Sequence, residues 1–445
     1  MRSLSSIDSR SSRVLINVAG SFVIKGWAGV VQILLVPLVL ACLGQYTNGI
    51  WMAISSILLW IDSFDMGLGN GLRNKLAEYV AKEDWQQARE AVSTTFFLLA
   101  MIVIPLVIVL VLIFGIVDVY HFLNVDPKIV GDLYKTMACT ILFVGITLVL
   151  KIVGNIYLGL QLPAVNNALV VGGQTLGLVF IFVLSRISGG PLSLFEVALL
   201  STTAPVIVYL VAMPLTFRRY KALRPSWRCF NRSMVRELFS LGVQFFVLQV
   251  AGMVLFFSTT VLISRLLSPA EVTPYQIAYR YFSFVSMLFG IVVAPLWSAT
   301  TDAYVKKDFA WIRKTTSRMR LLLFGFVVLI AVMTFVAPYV YDFWVGGQYG
   351  ITPALTIAMA VYTVVLLYSL YYAHILFGIG FIRLQMIVTL GEAIVFIPLA
   401  ILGARSYGVV GIIGALVLVN LVCATTNSIQ YKKIMSGRAS GIWVR

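Results

Sequence analysis

Residues 92–117 read VSTTFFLLAMIVIPLVIVLVLIFGIV, an unbroken run without a charged side chain. At ~1.5 Å per residue a helix of this length outreaches the ~30 Å hydrocarbon core of a bilayer. The segment before it, 70–91, carries Arg73, Lys75, Lys82 and Arg89, and the apolar run before that, 49–69, is again long enough to cross. Carried outward in both directions, the same alternation predicts twelve spanning helices. They lie near 14–41, 49–69, 92–117, 133–158, 165–186, 194–216, 239–264, 275–298, 321–344, 352–377, 384–403 and 409–430. The first run, 14–42, is too long for the apolar region of a cleavable signal and reads as a retained first helix. Composition agrees: the 445 residues are 60% hydrophobic and 11% charged, against ~45–50% and ~25% in soluble domains. The predicted class is an all-α polytopic membrane protein. Collagen, coiled coil, disorder and a small disulfide scaffold are excluded.

An even number of crossings places both termini on one face. The segments on that face (1–13, 70–91, 159–164, 217–238, 299–320, 378–383 and 431–445) hold 25 Lys and Arg. The opposite loops hold four, Lys128, Arg186, Arg265 and Arg405. Such a bias assigns the rich face to the cytoplasm. The formal net charge of +16 is then mostly topology, and no nucleic-acid partner is expected. The stretch from Arg218 to Arg236 reads as an orientation signal lying against anionic lipid. The outer loops are short and leave no room for an external catalytic domain, so an enzyme is not expected and no catalytic residue is assigned. Four cysteines without paired spacing and two histidines, His121 and His374, point to neither a disulfide framework nor a metal site.

Segment 217–238 divides the helices six and six. The expected organisation is an amino-terminal six-helix lobe (1–216), a basic cytoplasmic linker (217–238), a carboxy-terminal six-helix lobe (239–430) and a cytoplasmic tail (431–445). Six crossings return the chain to its starting face, so the two lobes would be related by a pseudo-two-fold axis along the membrane normal. A short internal similarity supports the repeat. Tyr79-Val80-Ala81-Lys82-Glu83 resembles Tyr304-Val305-Lys306-Lys307-Asp308, an offset of 225.

Ionisable residues inside spans are the first functional candidates, because a charge at the bilayer centre costs ~2.5–3.5 kcal/mol on insertion scales. The sequence has Lys25, Asp62, Asp65, Lys151, Arg280 and Glu392 in such places. Several sit on polar stripes at helical spacing: Asn17, Ser21, Lys25 and Gln32; Thr140, Thr147, Lys151 and Asn155; Gln276, Arg280 and Ser283; Gln385, Thr389 and Glu392. Polar faces on several helices predict an internal hydrated cavity. Plainer readings stand beside this one. Lys25 and Asp62 can form a structural ion pair, and Arg280, about two turns from the outer edge, can snorkel to the headgroups. Asp65 suits a helix end, and His374 is given no role. Tyr368, Tyr371 and Tyr372 suit membrane-core packing better than sugar stacking.

The stretch from the second span into its loop is the most distinctive. It reads Gly49-Ile50-Trp51-Met52-Ala53-Ile54-Ser55, then Asp65-Met66-Gly67-Leu68-Gly69-Asn70-Gly71-Leu72-Arg73-Asn74-Lys75, and continues through Asp84 and Ala88-Arg89 to Val92-Ser93-Thr94. It resembles the O-antigen and exopolysaccharide flippases (Wzx-type) of the multidrug/oligosaccharidyl-lipid/polysaccharide exporter superfamily. The resemblance implies two six-helix lobes opening alternately to each face of the bacterial inner membrane, with both termini cytoplasmic. It implies an undecaprenyl-pyrophosphate-linked oligosaccharide as cargo, with polymerase and glycosyltransferase machinery as possible partners. It implies no cofactor, a proton or sodium gradient supplying the energy. On that reading Lys25, Lys151 and Arg280 meet the pyrophosphate, Gln32, Asn155 and Gln276 bond sugar hydroxyls, and Asp62 or Glu392 couples the ion. The glycine-rich Asp65–Gly71 loop is expected to act as a hinge and packing element. The rival within the superfamily is an organic-cation antiporter, which predicts a carboxylate-dominated cavity; Lys25 and Lys151 against Asp62 lean to anionic cargo. A membrane polymerase or ligase is the rival from another class.

Overall fold

A computed structural model describes residues 4–62, 68–347, 349–381 and 383–444. Asp65 and the side chains of Lys25 and Asp62 lie outside the described part, as do those of Asn17 and Ser21. The chain forms two compact units, Met1–Gln249 and Val250–Arg445. The first holds α1 (Leu4–Asp62), α2 (Leu68–Ala81), α3 (Trp85–Ile116), α4 (Val119–Leu123), α5 (Leu133–Leu150), α6 (Ile152–Gly159), α7 (Pro163–Ile187), α8 (Leu194–Arg219) and the start of α9 (Arg232–Leu266). The second holds the rest of α9, then α10 (Pro269–Val305), α11 (Phe309–Val345), α12 (Pro353–Ile379) and α13 (Arg383–Met435). Among the described residues there is no β-strand.

Every expected span falls on helix wherever it is described. At 59 and 53 residues, α1 and α13 each exceed twice the ~20 residues of one crossing. Each is broken within its length, by Gly44 (φ +70°, ψ 173°) about two-thirds of the way along α1 and by Tyr407 and Gly408 (φ +59°) near the middle of α13. Glycine suits Gly44 because a side chain at this positive φ with extended ψ is strained against its own backbone, although the space around it is open. Among the described residues, eight stretches are long and apolar enough to cross a membrane. They are layered by burial: 17% of the apolar window is buried in both α3 and α11, against 56% in both α5–α6 and α12. Each unit thus sets one long helix at its rim, with apolar side chains such as Phe335 and Phe343 facing outward, and the next helix inside.

The internal repeat is clearest in the turns. After α2, Glu83 adopts φ +59° and Asp84 accepts from the backbone N–H of Gln87 at 2.9 Å. After α10, Lys307 adopts φ +58° and Asp308 accepts from Trp311 N–H at 2.9 Å. Asp84 N donates to Tyr79 O as Asp308 N donates to Ala303 O. The structural equivalence therefore runs at an offset of 224, Asp84 to Asp308, one residue from the sequence offset. The cap is the physical anchor, and the tyrosine match is one step out of register. Asp84→Ala and Asp308→Ala should each cost about 1 kcal/mol, the usual value of an N-cap carboxylate. Thermal unfolding in detergent measures both; a drop in one without the other would break the equivalence.

α2 shows why the glycine-rich motif stands where it does. Leu68, Leu72, Leu76 and Tyr79 are buried on one face, while Arg73, Asn74 and Glu78 are exposed. Lys82 donates to Glu78 at 2.7 Å, and this bond, with the charge of Lys75 beside it, holds the Glu78 carboxyl below its ordinary value. A Cβ on Gly71 would lie 2.7 Å from the carbonyl oxygen of Leu238, so glycine lets α2 press against the start of α9. Segment 217–238, expected as a linker, is folded onto the first unit. Two 3-10 turns, Lys221–Leu223 and Trp227–Cys229, pack against α3.

Candidate functional site

In the first unit the candidate centre is Lys151. It lies well inside the 133–159 span at the junction of α5 and α6, with helical backbone angles (φ −57°, ψ −15°). Its N–H donates to Thr147 O at 2.8 Å, its carbonyl accepts from Asn155 N–H at 3.2 Å, and the side chains of Lys151 and Asn155 are both half-buried. Gly154 follows closely, and a Cβ there would collide with Asn166 Oδ1, so α6 and α7 meet at van der Waals distance beside the lysine. Two members of the expected stripe do not serve as donors to a ligand. Thr140 is buried and donates to Thr136 O and Met137 O, and Thr147 donates to Phe143 O at 2.9 Å. Gln32 is exposed on α1. An open apolar groove of about 570 Å³ lies on the outer surface between α1, α7 and α8, lined by Val23, Ile24, Trp27, Val171, Thr175 and Val179 among others. Trp27 Nε1 closes one wall by donating to Thr175 Oγ1 at 3.1 Å.

In the second unit Arg280 lies half-buried on α10, one turn beyond Gln276. Gln276 Nε2 donates to Thr260 Oγ1 at 2.8 Å, so one arm of its amide ties α10 to α9. Ser283 donates to the Arg280 carbonyl at 2.9 Å. Aromatic side chains crowd the same helix: the rings of Tyr275 and Tyr279 are 6.0 Å apart, and those of Tyr281 and Tyr341 are 5.3 Å apart. Tyr362 on α12 is buried, and its hydroxyl has no hydrogen-bond partner among the described residues.

Glu392 is a separate centre. It is 6% exposed, its Oε1 accepts from the Cys423 N–H at 2.9 Å, and among the described residues no Lys, Arg or His pairs with it. Thr389, Ser369 and Asn427 surround the Cys423 thiol, and Asn427 Oδ1 has no partner among the described residues. The stripe Asn420, Cys423, Asn427 and Gln430 on the last span is not among those expected from the sequence. Its spacing of three and four is visible there, but it carries no charge to mark it. The tyrosines Tyr368, Tyr371 and Tyr372 pack on one another and on Tyr431, with Tyr371 donating to Thr316 O at 2.5 Å. Among the described residues no three His, Cys, Asp or Glu side chains gather to hold a metal ion.

Long apolar helices, a lysine half-buried within a span, and buried polar side chains in each unit define a multi-pass helical membrane protein. Its fold is that of the multidrug exporters. An inward-facing structure of a MATE family multidrug resistance transporter of the MOP superfamily superposes with a TM-score of 0.79 at 15% identity, over 92% of this chain and 95% of that one. Residues 14–299 match the family described as polysaccharide biosynthesis protein, and the chain belongs to that family. A Salmonella typhi protein named as an O-antigen transporter is 22% identical over 92% of this chain and 93% of its own length. A Yersinia pseudotuberculosis protein named as an O-antigen export protein is 24% identical over 87% and 88%.

Proposed function

We propose that this chain is a flippase. It carries undecaprenyl-pyrophosphate-linked oligosaccharide units from the cytoplasmic to the outer leaflet of a bacterial inner membrane, with both termini cytoplasmic. The observation that carries the reading is Lys151, half-buried well inside a membrane span, with the half-buried Asn155 one turn on. A cation kept at that depth against its insertion cost suits an anion that must enter the membrane. The relatives named for O-antigen transport and export support the same class of cargo.

Lys151, with Lys25 on α1 and Arg280 on α10, meets the pyrophosphate in successive states, as charge-assisted donors to phosphate oxygens. Asn155 and the second amide arm of Gln276 bond sugar hydroxyls, and Gln32 meets the sugars at the edge of the path. The open apolar groove beside Trp27 gives the isoprenoid tail a wall. A proton or sodium gradient drives the cycle through Glu392 or Asp62, and a polymerase takes the delivered units. Reconstitution into liposomes tests this. A fluorescent isoprenyl-pyrophosphate oligosaccharide added to one leaflet should reach the other only in vesicles holding the protein. Transport of organic cations in its place would establish the antiporter reading.

A further inference from the structure

We infer that residues 221–232 form a rigid interfacial anchor that binds the anionic headgroups of the surrounding membrane, with Trp227 set into the lipid and Arg224, Arg228 and Arg232 on the phosphates. The segment is held in one shape by α3. Arg89 Nε donates to Arg224 O at 3.0 Å, Ser226 N to Ser93 Oγ at 3.1 Å, Asn231 N to Thr94 Oγ1 at 3.0 Å and Asn231 Nδ2 to Glu90 at 2.8 Å. Leu223 is fully buried beneath it. On this fixed base Trp227 is 62% exposed. Its ring stacks on Phe230 at 5.6 Å and meets the edge of Phe97 at 4.8 Å. A large aromatic surface held outward by so many bonds is not a packing residue of the unit itself.

Depth and charge identify what covers it. Phe97 stands five positions inside the apolar run that begins at Val92, so Trp227 touches α3 at about 8 Å below its polar edge. Interfacial elements bury their apolar face ~5–10 Å at the boundary of headgroup and acyl chain. The segment directly follows α8, where that helix leaves the apolar layer. Arg224, Arg228 and Arg232 are exposed around the tryptophan, and no Asp or Glu occurs between 217 and 236. Indole at the interface with arginines outside it matches an anionic bilayer surface, where basic side chains are each attracted to acidic lipid.

The test isolates one tryptophan among the nine by subtraction. Emission is recorded for the full chain and for Trp227→Phe in bilayers of phosphatidylcholine or phosphatidylglycerol brominated near the headgroup end of the acyl chains. The difference signal should be quenched by both lipids and more strongly by the brominated phosphatidylglycerol. Arg224→Gln, Arg228→Gln and Arg232→Gln should each weaken that preference about fivefold. Difference emission quenched by aqueous iodide and untouched by brominated lipid would overturn the proposal, because a water-facing ledge is then a docking site for protein. An unchanged lipid preference in the three arginine variants would overturn its electrostatic part. Because the readout is lipid contact, a failed transport assay leaves this result standing.

Discussion

Alanine at Lys151 or at Arg280 is expected to cut surface glycan roughly 10- to 100-fold while the protein stays in the membrane at normal abundance. The size follows from the hydrogen bond removed, since one to a charged partner is worth ~1.5–3 kcal/mol and ~1.4 kcal/mol is tenfold. The sign of the stability change separates this from a structural role. A cation kept within a span carries an insertion cost of ~2.5–3.5 kcal/mol, so a residue kept for cargo leaves the fold no worse when it is removed. Lys151→Met should therefore match or exceed the native chain in thermal midpoint in detergent while losing transport. Lys151→Arg should recover part of the activity, because it restores the charge with a different donor geometry. Lys25→Ala is expected to behave as Lys151→Ala does. Parallel losses of abundance, midpoint and transport would mark these side chains as members of structural ion pairs. Immunoblotting of membranes beside glycan staining reads both quantities from the same cells.

The long helices were legible because a bilayer leaves the backbone few choices: a buried segment must satisfy its own hydrogen bonds, and apolar runs of sufficient length record that demand. Apolar runs such as 92–117 and 352–377 therefore transferred directly into α3 and α12. Polar stripes transferred less well. A threonine at the right helical phase looks like a cavity donor, yet Thr140 and Thr147 bond the carbonyl one turn back, and periodicity cannot separate the two uses. The repeat was visible but misaligned by one residue, because side-chain identity at Tyr79 and Tyr304 outweighed the helix cap at Asp84 and Asp308. Segment 217–238 read as a linker from its charge. Its fixed shape comes from the hydroxyls of Ser93 and Thr94, the carboxylate of Glu90 and the guanidinium of Arg89 on α3, more than a hundred positions away in sequence.

Glu392→Gln is expected to abolish transport driven by an imposed ion gradient while leaving the fold intact. The carboxylate is enclosed between the two limbs of α13, and one oxygen accepts from Cys423 N–H. Glutamine keeps that acceptor and nearly the same volume, so packing and the hydrogen bond survive. What it removes is the capacity to take up and release a positive charge. An enclosed carboxylate without a cationic partner is costly unless a proton or metal cation neutralises it, and the cost is relieved when the site opens to water. Binding in one state and release in the other ties the ion to the conformational cycle. Glu392→Ala behaves differently, because it strips the acceptor and leaves a buried cavity; it should lower the thermal midpoint as well as transport. Glu392→Asp keeps the charge on a shorter arm and should retain gradient-driven transport at reduced rate. Proteoliposomes with a proton gradient, a sodium gradient or none, all carrying the same fluorescent lipid-linked sugar, distinguish these outcomes. Should Glu392→Gln transport like the native chain under every gradient, the residue serves only to hold Cys423 in place, and the coupling falls to Asp62 on α1.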